Sequence, residues 1–151
     1  MTIIGIDPGT ACTGWGIIQK KKLIACGLIK TKPTQAIGQR LNIIHDELAG
    51  ILKKYQPDFA AVETIYFFKN PKSVLKVSQA LGIIFYTLNK AKISVKEYTP
   101  LQVKQNLSGY GRTDKTEIQK LVKKYLKLTK LPKPKHASDA LAIAICYRCS
   151  A

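Results

Sequence analysis

The sequence predicts an α/β protein: a mixed five-stranded sheet, with three antiparallel strands followed by parallel ones, flanked by helices. Three strand-like segments follow one another at the N-terminus with short connections, which indicates an antiparallel meander. The apolar spacing then changes to that of helices, and strands and helices alternate, which favours parallel strands joined by crossover helices. A length of 151 residues fits a single domain over residues 1–151, long enough to bury a sizeable core.

The first three strands are short apolar runs bounded by turn residues. They cover residues 2–6, 14–19 and 23–29. Residues 7–10, which read Asp-Pro-Gly-Thr, form a predicted turn after the first strand. Three consecutive lysines at residues 20–22 connect the second strand to the third.

Two long amphipathic helices enclose the fourth strand. Apolar side chains recur every three or four residues from Ile37 to Tyr55, and Pro57 ends the pattern. Phe59–Glu63 is the fourth strand. Asn70 is the expected N-cap of the second helix, because a proline in the first helical turn follows it.

The rest of the chain is predicted to hold a fifth strand and three helices. Thr113 is the expected N-cap of the second of these helices, since its hydroxyl can accept a hydrogen bond from the first helical turn. The predicted bounds are a strand at Ser94–Tyr98 and helices at residues 99–107, 113–126 and 136–147.

Charge is the most informative feature of the composition. Twenty-five Lys and Arg residues stand against nine Asp and Glu residues, giving a net charge of +16. Such an excess favours a polyanionic partner, and nucleic acid above all, because each phosphate contact releases counterions. The sequence offers neither a long apolar stretch nor a signal-peptide pattern, so we expect a cytoplasmic protein without a membrane partner.

Four cysteines are expected to be free thiols, because a cytosolic protein keeps its cysteines reduced. Cys146 and Cys149 have C-x-x-C spacing near the C-terminus. The sequence has no second C-x-x-C pair, and one such pair cannot complete a tetrahedral zinc site. The four positions are Cys12, Cys26, Cys146 and Cys149.

The scarce acidic residues fall at strand ends and in the last helix. Asp7 and Glu63 each follow an apolar strand, and the carboxyl ends of neighbouring parallel strands meet at one edge of a sheet. His136 and Asp139 are three residues apart and share one helix face. Carboxylates packed together repel one another unless a cation neutralises them. We therefore expect a metal site for Mg²⁺, with two ions that activate water and stabilise the leaving oxygen.

These residues lie within a set of motifs that follow one another along the chain. The motifs are residues 4–10 and 13–16, Val62-Glu63 before Lys69-Asn70, residues 73–82 and 102–105, the loop 109–111, and residues 136–144. In this order, and nearly from end to end, they resemble the motifs of the RuvC family of Holliday-junction resolvases, which share the RNase H-like fold.

The resemblance implies a homodimeric endonuclease that binds a four-way DNA junction and nicks two strands of like polarity symmetrically. The nicks can be sealed by a ligase, and cutting prefers a short T-rich consensus. The resemblance also implies a partnership with the RuvA–RuvB branch-migration complex. By position, Asp7, Glu63, His136 and Asp139 correspond to the family's four metal-binding catalytic residues.

Further residues are candidates for DNA contact. The resemblance places Tyr66 where the family carries an aromatic side chain near the junction centre, and Lys104 and Lys115 at functional basic positions. Lys69 and Arg112 also flank the predicted site in sequence. An exposed ring that stacks on unpaired bases contributes roughly 1–3 kcal/mol per base, so Tyr66→Ala is expected to weaken cutting.

His136 departs from the best-known pattern of the family, which has Asp at this position. Imidazole is a softer ligand than carboxylate and suits Mn²⁺ better than Mg²⁺. We therefore expect Mn²⁺ to support cleavage at least as well as Mg²⁺. A second role for His136, protonation of the leaving group as a general acid, stays open.

Three other functions are alternatives to junction cleavage. The segment from Gly5 to Thr10 resembles the phosphate hairpin of actin-like ATPases and sugar kinases. Those proteins need a second lobe and a second glycine-rich loop, and this sequence predicts one domain and no such loop. A related RNase H-like nuclease that acts on structured RNA is the main alternative. A DNA-binding module without catalysis is disfavoured, because acids are present at all the expected positions.

Overall fold

The computed structural model describes residues 1–64 and 70–151. Its five strands are β1 (Thr2–Asp7), β2 (Cys12–Gln19), β3 (Lys22–Lys30), β4 (Phe59–Glu63) and β5 (Ser94–Tyr98). Its helices are α1 (Ile37–Tyr55), α2 (Pro71–Lys90), α3 (Pro100–Ser108), α4 (Lys115–Tyr125) and α5 (Lys135–Ser150).

The strands form one mixed sheet in the order β3-β2-β1-β4-β5. β1 pairs antiparallel with β2, and β2 pairs antiparallel with β3. β4 runs parallel to β1, and β5 runs parallel to β4. The predicted arrangement of three antiparallel strands followed by parallel ones is therefore confirmed.

Both faces of the sheet are buried, which explains why β1 is apolar at nearly every position. Ile4 and Ile6 point into a core formed with α1 and α2. Ile3 points to the opposite face, where it packs in a core formed with α3, α4 and α5. All three isoleucines are completely buried.

α5 is apolar on almost every side because it lies between two layers. It packs against β1 and β2 on one side and against α3 and α4 on the other. The run from Ala140 to Cys146 is buried throughout. A helix enclosed in this way gains most of its stability from tertiary packing.

The predicted start of α4 is wrong by one residue. Asp114 is its N-cap, and the Asp114 carboxylate accepts a hydrogen bond from the backbone N–H of Glu117 at 2.8 Å. Thr113 is instead buried, and its hydroxyl donates to the carbonyl oxygen of Tyr110 at 2.9 Å. Both side chains can cap a helix, and the tertiary contacts of Thr113 decide between them.

Several other elements extend beyond their predicted bounds, β2 and α5 by more than one residue. β2 begins at Cys12 rather than at residue 14, because its pairing with β3 continues to the Cys12–Lys30 pair. α5 continues to Ser150, whose hydroxyl donates to the carbonyl oxygen of Cys146 at 2.9 Å. All four cysteines are free thiols, as expected. Across residues 1–64 and 70–151, no helix combines the length and apolarity that a membrane crossing demands.

Candidate active site

The carboxyl ends of β1 and β4 bring two acidic side chains to one edge of the sheet. Ile6 pairs with Val62 in the parallel ladder, and Asp7 and Glu63 are the next residues of the two strands. Both acids are partly buried, since each ends a strand whose apolar residues lie in the core. The predicted placement of these two residues at one sheet edge agrees with the structure.

The first turns of α5 bring the other two predicted residues to the same place. Nδ1 of His136 donates a hydrogen bond to Oδ2 of Asp7 at 2.8 Å, across 129 positions of sequence. Ligand atoms of Asp7, His136 and Asp139 all lie within 4.8 Å of one another. Glu63 lies outside this three-residue cluster but lines the same cavity.

α5 reaches this position because glycines in β1 and β2 leave room for it. A Cβ atom on Gly5 would lie 2.0 Å from the backbone oxygen of Ala140, and one on Gly16 would lie 2.6 Å from the side chain of Leu141. Sequence reasoning used these glycines as motif positions and missed this packing role. The available signal was a glycine inside a strand, which often marks a close backbone approach.

The acids face a cavity of about 520 Å³ that also receives basic side chains. Lys115 contacts the cluster directly, with its Nζ 2.8 Å from Oδ2 of Asp139. Sequence reasoning assigned Lys115 to DNA contact and did not anticipate this ion pair. The charged residues and the histidine around the cavity are Asp7, Glu63, Lys104, Lys115, His136 and Asp139.

The remaining predicted contact residues are less closely tied to the cavity. Arg112 is exposed in the connection between α3 and α4 and is not among the residues that line the cavity. Its contact with DNA stays a prediction. Tyr66 and Lys69 lie outside the described residues.

Burial and mutual repulsion raise the pKa of two carboxylates of the cavity, Asp7 and Glu63. Burial raises the pKa of Glu63 to about 7, and the nearby charges of Asp7 and Asp139 act in the same direction. Burial also raises the pKa of Asp7, although the hydrogen bond from His136 opposes the shift. A cation placed among these groups removes the repulsion that produces part of both shifts.

The donor set fits a divalent cation. Asp7 and Asp139 supply hard carboxylate oxygens, and His136 supplies an imidazole nitrogen, all close enough together to share one ion. Carboxylate oxygens suit Mg²⁺ and Mn²⁺, and the added imidazole extends the range toward Mn²⁺ and softer metals. The cluster therefore has the chemistry of a metal-binding site.

Comparison with known proteins agrees with this geometry. A sequence model of the family described as "Crossover junction endodeoxyribonuclease RuvC" matches residues 3–147. A protein of that name from Caldicellulosiruptor saccharolyticus is 46% identical, over 97% of this chain and 92% of the relative. A second, from Fusobacterium nucleatum, is 45% identical, over 97% of this chain and 80% of the relative.

A solved structure extends the match to three dimensions. Thermus thermophilus RuvC, determined in complex with a Holliday junction substrate, superposes with a TM-score of 0.95 at 34% identity. The alignment covers 99% of this chain and 94% of the Thermus protein. On its sequence and its fold, the chain belongs to the RuvC family of crossover junction endodeoxyribonucleases.

Proposed function

We propose that this chain resolves four-way DNA junctions by metal-dependent, symmetric nicking of two strands of like polarity. The observation that carries the proposal is the cluster of Asp7, His136 and Asp139 within 4.8 Å, in a chain of the RuvC family. The relatives' name describes an endonuclease of crossover junctions, and the Thermus protein was solved with a junction substrate. Both support the assignment of junction DNA as the substrate.

Asp7, His136 and Asp139 are the residues that would hold a divalent cation, with Glu63 at the wall of the same cavity. Bound there, the cation would lower the pKa of a water molecule and stabilise charge on the leaving oxygen. Mg²⁺ is the proposed ion, with two ions per site and with Mn²⁺ also effective. Without a cation the pKa of Glu63 is raised to about 7, and a cation bound beside it would lower that pKa and favour the ionised carboxylate.

The hydrogen bond to Asp7 orients the ring of His136. When Nδ1 donates to Asp7, Nε2 carries the lone pair that can bind a cation. Protonation of Nε2 would instead make His136 a general acid for the leaving oxygen. Both roles use the same ring orientation, so the hydrogen bond to Asp7 supports each of them.

Basic residues are proposed to hold the DNA backbone near the acids. Lys104 and Lys115 line the cavity and can contact phosphates on either side of the scissile bond. Arg112, Lys69 and the aromatic Tyr66 are proposed to extend this contact toward the junction centre. Most of the affinity is expected to come from phosphates, and it should fall steeply with salt.

Symmetric nicking requires two active sites, and the described part of the chain forms one cluster of this kind. We therefore propose that the protein acts as a homodimer, as one single-domain nuclease per subunit. A cytoplasmic location and cooperation with the RuvA–RuvB branch-migration complex are proposed on family membership.

The decisive experiment is cleavage of an immobile four-way junction with and without Mg²⁺, with the nicks mapped on all four strands. We expect paired nicks in two strands of like polarity, only when metal is present. Asp7→Asn should abolish cutting and retain junction binding. Preferred cleavage of structured RNA would overturn the proposal in favour of an RNA-processing nuclease, and hydrolysis of ATP would favour the kinase-like alternative.

A further inference from the structure

Few ion pairs form among the described residues of this basic protein, and two of the three lie at the proposed active site. The chain has 25 Lys and Arg residues. Within residues 1–64 and 70–151, the single ion pair that a Lys or Arg side chain makes with a carboxylate joins Lys115 to Asp139. The Asp139 side chain is 15% exposed and that of Lys115 is 57% exposed, so Lys115 reaches from the protein surface into the acidic cluster.

Helix stability does not explain a lysine at this position. Lys115 is the first residue of α4, directly after the N-cap Asp114. A positive charge at a helix N-terminus is disfavoured by the helix dipole. The position is accounted for by the acids that Lys115 faces across the cavity, Asp139 above all.

The backbone that carries Lys115 is anchored by the preceding loop. Thr113 is buried, and its hydroxyl bonds both to the hydroxyl of Ser108 and to the carbonyl oxygen of Tyr110. The long Lys115 side chain can therefore exchange partners by rotation about its own bonds, with its Cα fixed.

The ammonium group of Lys115 interacts electrostatically with all three acids of the cavity. Partial burial alone would lower its pKa, but the hydrogen bond and charge of Asp139, together with the charges of Asp7 and Glu63, raise its pKa overall. In the protein without metal, Lys115 thus supplies part of the positive charge that the cluster needs. Lys104 lines the same cavity without an ion pair to Asp139.

We propose that the Lys115 ammonium is the internal counter-ion of the acidic cluster and competes with the divalent cation for Asp139. The inference rests on the proposed metal site and adds a regulation of it. Because both cations are attracted to the Asp139 carboxylate and repel each other, binding of the metal weakens the ion pair between Lys115 and Asp139. As a result, the DNA-free protein binds the metal more weakly than it would if the charge of Lys115 were absent.

Titration of the DNA-free protein with Mn²⁺ by calorimetry tests the proposal. Lys115→Met removes the charge and keeps an unbranched side chain, and it should tighten Mn²⁺ binding roughly three- to tenfold, the range expected for a partly exposed ion pair. Lys104→Met is the matched control, because it removes a lysine of the same cavity that does not pair with Asp139. It should change Mn²⁺ affinity less than about twofold. Lys115→Arg keeps the charge and should bind Mn²⁺ like the wild type.

Thermal unfolding gives a second readout. Without metal, Lys115→Met should melt below Lys104→Met, and saturating Mn²⁺ should raise its melting temperature more than that of the wild type. Lys115→Gln replaces Lys115→Met if the latter is not folded by circular dichroism. Unchanged or weaker Mn²⁺ binding in the folded Lys115 variant would overturn the counter-ion role. Absence of Mn²⁺ binding in the wild type would overturn the metal site as well, whereas junction cleavage, measured separately, tests the proposed function.

Discussion

The backbone oxygen of His136 lies only 2.1 Å from the position that a Cβ atom on Gly14 would occupy. β2 and the first turn of α5 therefore touch through their backbones at the point where α5 delivers His136 to Asp7. A side chain at position 14 would force these two elements apart. The geometry of the acidic cluster thus depends on a residue that has no functional group.

Gly14→Ala adds only one methyl group but should impair cleavage strongly. Overpacking of this contact is expected to destabilise the protein by roughly 1–3 kcal/mol. A shift of the α5 start by about 1 Å is expected to reduce junction cleavage on the order of a hundredfold. Urea denaturation and single-turnover cleavage measure the two effects.

Gly50→Ala is the matched control for Gly14→Ala. Gly50 lies in the exposed part of α1, and a Cβ atom there meets nothing within 4 Å. This change should stabilise the protein by about 0.5–1 kcal/mol and leave cleavage unchanged. Equal cleavage by the two variants would contradict the close-packing interpretation.

Glu63→Gln should stabilise the metal-free protein in a pH-dependent manner. The pKa of Glu63 is raised from 4.5 to about 7 in the folded protein, so the folded state holds the proton more tightly than the unfolded state does. The ionised carboxylate therefore lowers the free energy of unfolding as pH rises from 4.5 to about 7, and the loss persists at higher pH.

The difference in unfolding free energy between Glu63→Gln and the wild type should grow from near zero at acidic pH to at most ~3 kcal/mol above neutral pH. Urea titrations at several pH values, in the presence of a chelator, measure it. Glu47→Gln, at an exposed position of α1, is the control and should show a small effect. If the difference in unfolding free energy between Glu63→Gln and the wild type did not change with pH, the effect of the substitution would not come from the charge of the buried carboxylate.

Substitutions of His136 distinguish its two proposed roles. If His136 binds the cation, His136→Asp should retain cleavage and shift the preferred ion from Mn²⁺ toward Mg²⁺, since carboxylate is the harder ligand. His136→Ala should lose activity in either ion. Cleavage rates in each metal provide the measurement, and an inactive but folded His136→Asp protein that still binds metal would favour the general-acid role.

Cys146 and Cys149 should differ sharply in reactivity although they share one C-x-x-C segment. Burial raises the pKa of Cys146 to about 11, against the opposing hydrogen bond from Nδ2 of Asn106 at 2.9 Å. Cys149 is exposed. At pH near 8, iodoacetamide should label Cys149 at least about tenfold faster than Cys146, as mass spectrometry of peptides can measure.

Denaturation in urea should remove the difference between the two thiols, because it exposes Cys146. Cys149→Ser provides the control in which only the protected thiol of this segment remains. Rapid labelling of Cys146 in that native variant would contradict its burial in α5.

The sheet edge that holds Asp7 and Glu63 could be predicted because it depends on local sequence and one topological rule. Each acid follows a short apolar strand, and neighbouring parallel strands end at the same edge. The spacing of His136 and Asp139 likewise follows from helical geometry. These inferences need no knowledge of how the side chains pack.

Other parts of the site could not be predicted from sequence, since they depend on contacts between distant segments. The sequence shows Gly5 and Gly14 but does not say which element approaches them. It also gives no reason to select Lys115 among 25 basic residues as the partner of Asp139. The start of α4 differs from the predicted one for a related reason, because the burial of Thr113 depends on the folded structure around it.

α5 supplies both a large part of the core on one face of the sheet and two of the proposed site residues, His136 and Asp139. Any partial unfolding that detaches α5 from the sheet therefore also removes His136 and Asp139 from the proposed active site. Loss of cleavage activity on heating should therefore coincide with global unfolding. Variants that lose catalysis but keep their stability are expected at site residues on β1, β4 and α4.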